Sequence, residues 1–361
     1  MKHGWLRLLI LLIAAGLCAG MWFYTREMPR QKTEMLTLWY SESDCDSAAM
    51  ESLITRCRKE TGIQIHATAF GDEEKLGAAF DGLTGRTFKA PDLLFCSHIR
   101  AAHFEESGGL AEIASPLPVP AALSDTFPAA GRSFFPIGFR LPLLLVNTAL
   151  TDGDFDSFEA LLEAAGETPF LGCDCAAAFF YTEAAAKGIQ LTGDAAADIH
   201  HGQAAELYNR IAQAVFRGGL VVRERATDYV RGGQLACTVT MSTALAGLTD
   251  RGLDVRLLPL PAGTDARYPA ELMGFALLDG ADTEASERFF QWLWTGSGTE
   301  TALAAGMAPF IQTEGKGGNM AKQLNAVTQN AAIYLTDPDG AFTRNREAFE
   351  TSLREALDLL V

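Results

Sequence analysis

The chain has 361 residues, 48% of them apolar and 20% charged, with a formal net charge of −16. That composition belongs to a folded globular protein of one large or two ordinary domains, without a low-complexity tract or the fixed-period repeat of a solenoid or propeller. The acidic balance argues against nucleic acid as the main partner, because phosphate binding needs basic patches.

The first segment stands apart. Lys2 and Arg7 precede an uncharged, mostly apolar stretch from Leu8 to Tyr24, and Arg26, Arg30 and Lys32 follow. A basic region before an apolar one predicts export, so residues 1–32 read as a signal peptide or membrane anchor with its linker. The stretch is at the short limit of a membrane span, which leaves an uncleaved anchor open. Cys18 in "AGLCAG" stands where a bacterial lipoprotein carries its lipidated cysteine. Leu17 departs from that pattern, which wants a small residue there, and Leu17-Cys18-Ala19 also suits ordinary cleavage. Without residues 1–32 the charge becomes −20. The remaining cysteines, Cys45, Cys57, Cys96, Cys173, Cys175 and Cys237, are even in number and permit disulfides in an exported chain. Their spacing fixes no pairing and supplies no zinc site, and small buried side chains are an equal reading.

The elements then follow in order. "MLTLWYS" alternates as a strand and runs into a loop, with Asp46 or Ser47 placed to cap a helix whose apolar face holds Leu53, Ile54 and Cys57. Gly62 ends that helix. "IQIHATAF" is a strand of period two, a helical stretch spans Glu73 to Leu83, and "APDLLFCS" holds a short buried strand, Leu93 to Cys96. Strand–helix–strand–helix–strand describes an open α/β sheet, whose ligands bind beyond the carboxyl ends of the strands. Trp39 to Asp44 and Ser97 to Arg100 therefore rim one cleft, with Ser41, Glu42, Asp44, Ser97, His98 and Arg100 as candidate ligand contacts. A Pro-rich connection leads to "PIGFRLPLLLVN", an almost wholly apolar run with Arg140 in its middle. Beyond it, "DFDSFEALLEAAG" and "AAELYNRIAQAVFRGG" are helical, "YVRGGQLACTVTMSTALAGL" reads as helix end, strand and helix start, and "VRLLPLPAG" as an edge strand ended by prolines. "ERFFQWLWTGSG" is an aromatic-rich helix, and "AFTRNREAFETSLREALDLL" closes the chain.

The succession of a strand ending near Trp39, then "KETGIQI", "PDLLF" and "SGGLAEI", resembles the extracellular solute-binding proteins of ABC importers, in the branch that includes maltose-binding protein. "FFPIGFRLPLLLVNTAL" is similar to that family's crossover strand, "LACTVTMSTALAG" to its strand-to-helix turn, and "ASERFFQWLWTGSGTETALAAGMAPF" to its late helix pair. The likeness covers about residues 36–361. It implies an α/β, two-lobe periplasmic-binding-protein-like fold with crossing hinge strands. The first lobe would be residues 33–139 plus about 272–308, and the second about 143–270 plus 311–361. Ligand would close the lobes by a hinge movement, and the closed form would dock on membrane permease subunits. The resemblance implies an exported monomer at the outer face of a bacterial membrane, anchored or secreted, with no cofactor and no metal.

By the same resemblance, Arg140 falls where the branch has an acidic, sugar-contacting residue, and so faces the cleft. A guanidinium suits a carboxylate or phosphate. The competing reading is a structural Arg140 paired with Glu271 or Asp174, since a buried arginine must be paired one way or the other. Asp174, Tyr181, Ser242 and Thr243 complete the candidate contacts. Cys96 replaces a tryptophan of the branch, and "MSTALAG" replaces a tryptophan-bearing turn. Trp39, Trp292 and Trp294 read as packing, as do two of Phe179, Phe180 and Tyr181. The cleft is thus poor in stacking surface, which disfavours a long oligosaccharide and favours a small carbohydrate or an acidic solute. Two rivals stand beside this reading. An exported enzyme finds no support in a G-x-S-x-G, H-E-x-x-H or P-loop motif; His98 and His103 lack a carboxylate motif, and His200-His201 read as solvated. A binding protein that reports to a receptor or scaffold instead of a permease is not separable from sequence.

Overall fold

The computed structural model describes residues 34–81, 90–153, 155–173, 179–180, 183–184, 187, 189, 200, 202–223, 225–245, 254–260, 267–310, 322–324, 332–335, 351–352 and 355. Residues 1–32, Asp174, Cys175, Tyr181, His201 and most of the closing stretch from Ala341 lie outside them. No helix among the described residues is long and apolar enough to cross a membrane.

Strand β1 (Met35–Ser41) leads into helix α1 (Ser47–Thr61). Asp46 is the cap: its carboxylate accepts from the Ala48 amide at 3.2 Å. Gly62 ends the helix with φ 79°, the left-handed turn that glycine adopts without a Cβ penalty. Strand β2 (Gln64–Phe70), helix α2 (Glu73–Asp81), strand β3 (Leu93–Ser97) and helix α3 (His98–Glu106) continue the alternation. Strands β1, β2 and β3 pair in parallel, so the connections are right for helices packed on the sheet faces. The Pro-Asp pair before β3 fixes its start. Asp92 Oδ2 accepts from the Thr37 amide at 2.8 Å and the Thr37 hydroxyl at 2.7 Å, and its Oδ1 accepts from the Asp282 amide at 3.3 Å.

After helix α4 (Ala121–Thr126) come strands β4 (Phe134–Arg140) and β5 (Pro142–Asn147), with only Leu141 between them. Strand β4 joins the larger sheet and β5 the smaller. The smaller sheet is built from helix α5 (Phe158–Ala165), strand β6 (Leu171–Cys173), helix α6 (Gly202–Phe216), strand β7 (Leu220–Val222), helix α7 (Ala226–Arg231), strand β8 (Cys237–Met241) and strand β9 (Val255–Leu258). Its strand order is β7-β6-β8-β5-β9, with β9 on the edge as its prolines demand. The chain returns through strand β10 (Arg267–Leu277), then helices α8 (Thr283–Trp292) and α9 (Gly298–Ala304), strand β11 (Ala308–Pro309) and strand β12 (Ala332–Leu335). The larger sheet runs β11-β4-β10-β3-β1-β2, with β12 also on β10. Residues Arg267–Ala270 of β10 pair with β12, and Glu271–Leu277 lie between β4 and β3.

Two buried clusters sandwich the larger sheet. One gathers Leu36, Leu38, Phe95, Phe135, Phe275, Phe289 and Phe290; the other gathers Leu94, Phe127, Phe134 and Leu272. A third fills the second lobe around Leu144, Phe158, Phe180 and Ile211. Leu141 joins a fourth with Leu143, Ala270 and Ala308, at the point where the chain passes from β4 in one sheet to β5 in the other. The sequence reading passed over β7, whose three residues are too short to show a period, and the long β10, whose residues from Ala270 to Leu277 are all buried and so do not alternate.

Candidate functional site

The registers bring the strand ends together. In the larger sheet β1 and β3 end at Ser41 and Ser97, and β10 lies antiparallel to β3 with Met273 opposite Ser97. Glu271 therefore projects past that edge, where it pairs with Arg140 at the end of β4. In the smaller sheet β6, β7 and β8 are parallel and end at Cys173, Val222 and Met241, while Pro142 of β5 lies opposite Met241. Leu141 separates Arg140 from Pro142. The carboxyl ends of both sheets thus border the same crossing, the position where open α/β sheets hold ligands.

Arg140 sits at the centre of the first-lobe rim. Its Nη1 donates to Asp44 Oδ1 at 2.9 Å and its Nε to Glu271 Oε2 at 2.9 Å, with Nη2 also on Glu271. Its side chain is 16% exposed, and that of Asp44 is 1% exposed. The cation in the apolar run is therefore compensated, by Glu271, which the sequence reading named, and by Asp44, which it placed at the rim as a ligand contact. Asp174, the other partner weighed, lies outside the described residues.

The surroundings of this pair are acidic. Burial pushes the Asp44 carboxyl up to about 7, opposed by Arg140 and reinforced by Glu73 and Glu271. Glu73, at the start of α2, also meets the Arg100 guanidinium at 3.6 Å, and Arg100 Nη2 donates to the Glu73 carbonyl at 3.4 Å. Asp44 Oδ2 is buried and has no hydrogen-bond partner among the described residues.

The other expected contacts take these places. Ser41 is buried, and its hydroxyl lies 2.6 Å from that of Ser43. Glu42 is exposed and accepts from the Ser47 hydroxyl at 2.7 Å. Ser97 caps α3, accepting from the Arg100 amide at 3.4 Å. His98 is fully buried, and its Nδ1 accepts from the Leu272 amide at 3.1 Å, tying α3 to β10. Ser242 is buried at the end of β8. Its hydroxyl accepts from the Leu141 amide at 3.3 Å and its own amide donates to the Leu141 carbonyl at 2.8 Å, so it grips the crossing itself. Thr243 beside it is half-buried. Asp174, Tyr181 and Cys18 lie outside the described residues. Phe179 and Phe180 are core, Trp292 packs with its indole NH on Glu60 at 2.8 Å, and Trp39 is half-buried between Phe70 and Phe80. Cys45, Cys57, Cys96 and Cys237 are free and buried, and Cys173 is buried as well.

Sequence reasoning missed the second-lobe rim after β7. Arg223 is exposed and lies 4.5 Å from the centre of the Tyr229 ring, a cation–π stack. Arg225 holds φ 59° and pairs with Asp228 at 2.8 Å. "VVRERATDY" carried the signal: a β-branched pair followed by charges and a helix start. It also left Glu73 out of the site, reading it only as the first residue of a helix.

No protein-family model and no curated protein matches the chain. Solved structures do. The GacH receptor of Streptomyces glaucescens, solved unliganded and with acarbose and an acarbose homolog, has TM-score 0.67 and 17% identity, covering 90% of this chain and 100% of its own. The spermidine/putrescine ABC transporter substrate-binding protein PotD of Streptococcus pneumoniae has TM-score 0.65 and 14% identity over 90% and 99%. The ABC substrate-binding protein Lmo0181 of Listeria monocytogenes, in complex with cycloalternan, has TM-score 0.66 and 12% identity over 90% and 100%. Taken with the two sheets and the Leu141 crossing between them, these likenesses show that the chain has the two-lobe, periplasmic-binding-protein-like fold of ABC substrate-binding proteins.

Proposed function

We propose that the protein is an extracytoplasmic solute-binding protein that closes its two lobes on a small solute and delivers it to the permease of an ABC importer. The observation that carries this reading is the convergence of both sheets' strand ends on one crossing of minimal length, lined by polar and charged side chains. Residues 33–139 with 272–308 and residues 143–270 with 311–361 are the two bodies that move about Leu141. The protein binds and releases without turnover, needs no cofactor or metal, and acts as a monomer. Residues 1–32 direct export and either anchor the chain, with Cys18 as the lipidated residue, or are cleaved.

Ser41, Glu42, Asp44, Ser97, Arg100 and Arg140 on one side, with Asp174, Tyr181, Ser242 and Thr243 on the other, line the cleft in this reading; His98 supports it from behind. The carbohydrate and polyamine names of the structural neighbours frame the first solutes to try. A thermal-shift panel of maltooligosaccharides, monosaccharides and amines should yield a concentration-dependent rise in melting temperature for one class, with the solute recovered unchanged. Solute uptake lost on deleting the gene separates transport from sensing. Chemical conversion of the solute by the purified protein, abolished by a cleft substitution, would overturn the binding-protein reading.

A further inference from the structure

We propose that the solute carries a protonated amine, which seats against Asp44 between Glu73 and Glu271. This rests on the binding-protein reading above and names the chemistry of that same cleft.

The first-lobe rim holds more carboxylates than cations. Asp44, Glu73 and Glu271 gather round Arg140, and Glu42 is exposed on the same loop. The cations are already engaged: Arg140 has donors on Asp44 and Glu271, and Arg100 lies on Glu73. An anionic solute arriving here would find those guanidiniums occupied and the surrounding carboxylates repelling it. The acceptors, in contrast, are under-served. Asp44 Oδ2 is buried without a donor among the described residues. What faces this group from α2 is the Glu73 carboxyl, a further acceptor, and the neighbouring thiols Cys45 and Cys96 are weak donors. Two carboxyl groups set against each other coexist by sharing a proton. An ammonium group can take that proton's place, because it brings both the positive charge and the several donors that such a pair lacks. A neutral hydroxyl would satisfy the orphan oxygen and leave the charge uncompensated. Arg140 keeps Asp44 fixed in position for this contact, so the arginine orients the carboxylate and does not meet the solute's charge itself.

The source could be an amino sugar or a short aliphatic polyamine, and the probes distinguish them. Glucosamine, putrescine, glucose and glucuronate would be titrated calorimetrically into the purified chain at about pH 8 and about pH 6, either side of the Asp44 transition. We expect heat with one or both amines, tighter at the higher pH, and at about pH 6 a proton released from Asp44, seen as a heat that varies with the ionisation enthalpy of the buffer. Glucosamine alone points to an amino sugar, putrescine alone to a polyamine. Asp44→Asn should weaken the amine by roughly tenfold or more, as for removal of a buried charge partner. This variant should still fold, because Asn offers Arg140 an oxygen and Glu73 an amide donor. Glu73→Gln, at a half-exposed position, is the second variant and should weaken the amine in the same direction. Glucose or glucuronate binding more tightly than either amine, or unchanged amine affinity in both variants, overturns the amine assignment and leaves the binding-protein reading intact. No binding by any probe or by the wider solute panel, with no change in solution scattering, counts against both.

Discussion

Arg140 shows how a single side chain can be misjudged from its neighbours in sequence. Within the run Pro136–Asn147 it has no acidic residue near it, yet its partners arrive from residues 44 and 271. Sequence proximity limits what can be seen of an ion pair assembled by sheet register. Glu271 was nameable because a buried guanidinium needs a partner; the role of Asp44 as the other partner was not. Breaking a buried pair by removing one member leaves charges uncompensated, so Arg140→Ala should lower stability by about 3–5 kcal/mol. Arg140→Lys should recover part of it, because an ammonium cannot span two carboxylates as the guanidinium fork does. Urea unfolding of the unliganded protein measures both. Equal stability of Arg140→Ala and the parent chain would show that the triad does not hold the hinge. Two carboxyls add a pH dependence: Asp44 and Glu183 are each pushed up to about 7, in both cases first by burial. Each holds its proton more tightly folded than unfolded. Their contribution is present below the ordinary carboxylate range and is lost as pH rises through about 7. The unfolding midpoint should therefore fall between about pH 5 and about pH 8, with a shallower fall in Asp44→Asn.

The elements were legible where period and punctuation agreed. Helix α1 has its cap at Asp46 and its stop at Gly62, and the helices after Ser157 and before Gly218 were equally marked. Strand β10 was not, since it is buried between two neighbours and its apolar run has no polar face. Its Gly274 sits where the pairing with β4 shifts register. A Cβ there would meet the Phe135 carbonyl oxygen at 2.3 Å. The backbone cannot give way as a side chain tip would, so Gly274→Ala should destabilise by about 1–3 kcal/mol or more, the range for overpacking. A thermal melt reads this directly, and an unaltered melt would mean that β10 can slide against β4. Ser242 acts at the same scale. It closes two hydrogen bonds on Leu141, and Ser242→Ala should remove one of them, loosening the crossing at a cost of about 1 kcal/mol.

At the scale of the whole molecule, the two-lobe fold was legible because several weak segments occurred in the right order, although no one of them would have sufficed. The second-lobe rim was less so, because Arg223 and Arg225 follow a strand of three residues. If the lobes close on a solute, the radius of gyration from small-angle scattering should decrease on adding the solute that raises the melting temperature, and a rigid profile under saturation would argue against hinge closure.

The order in which the larger sheet can be completed follows from strand β10. It lies between β3 and β4, which do not pair with each other, yet it is made more than a hundred residues after both. A nascent chain that has emerged only through the smaller sheet carries an empty slot, with β3 and β4 each presenting an unpaired edge. Such edges invite pairing with a neighbouring chain. The first lobe to be synthesised is thus among the last to be finished, and its folding must wait on a long-range insertion that is slow by its topology. Ribosome-stalled chains ending before Arg267 should be protease-sensitive in residues 34–140, and those ending beyond Pro309 protected. The protein gains its native core late, by closing a gap from the middle.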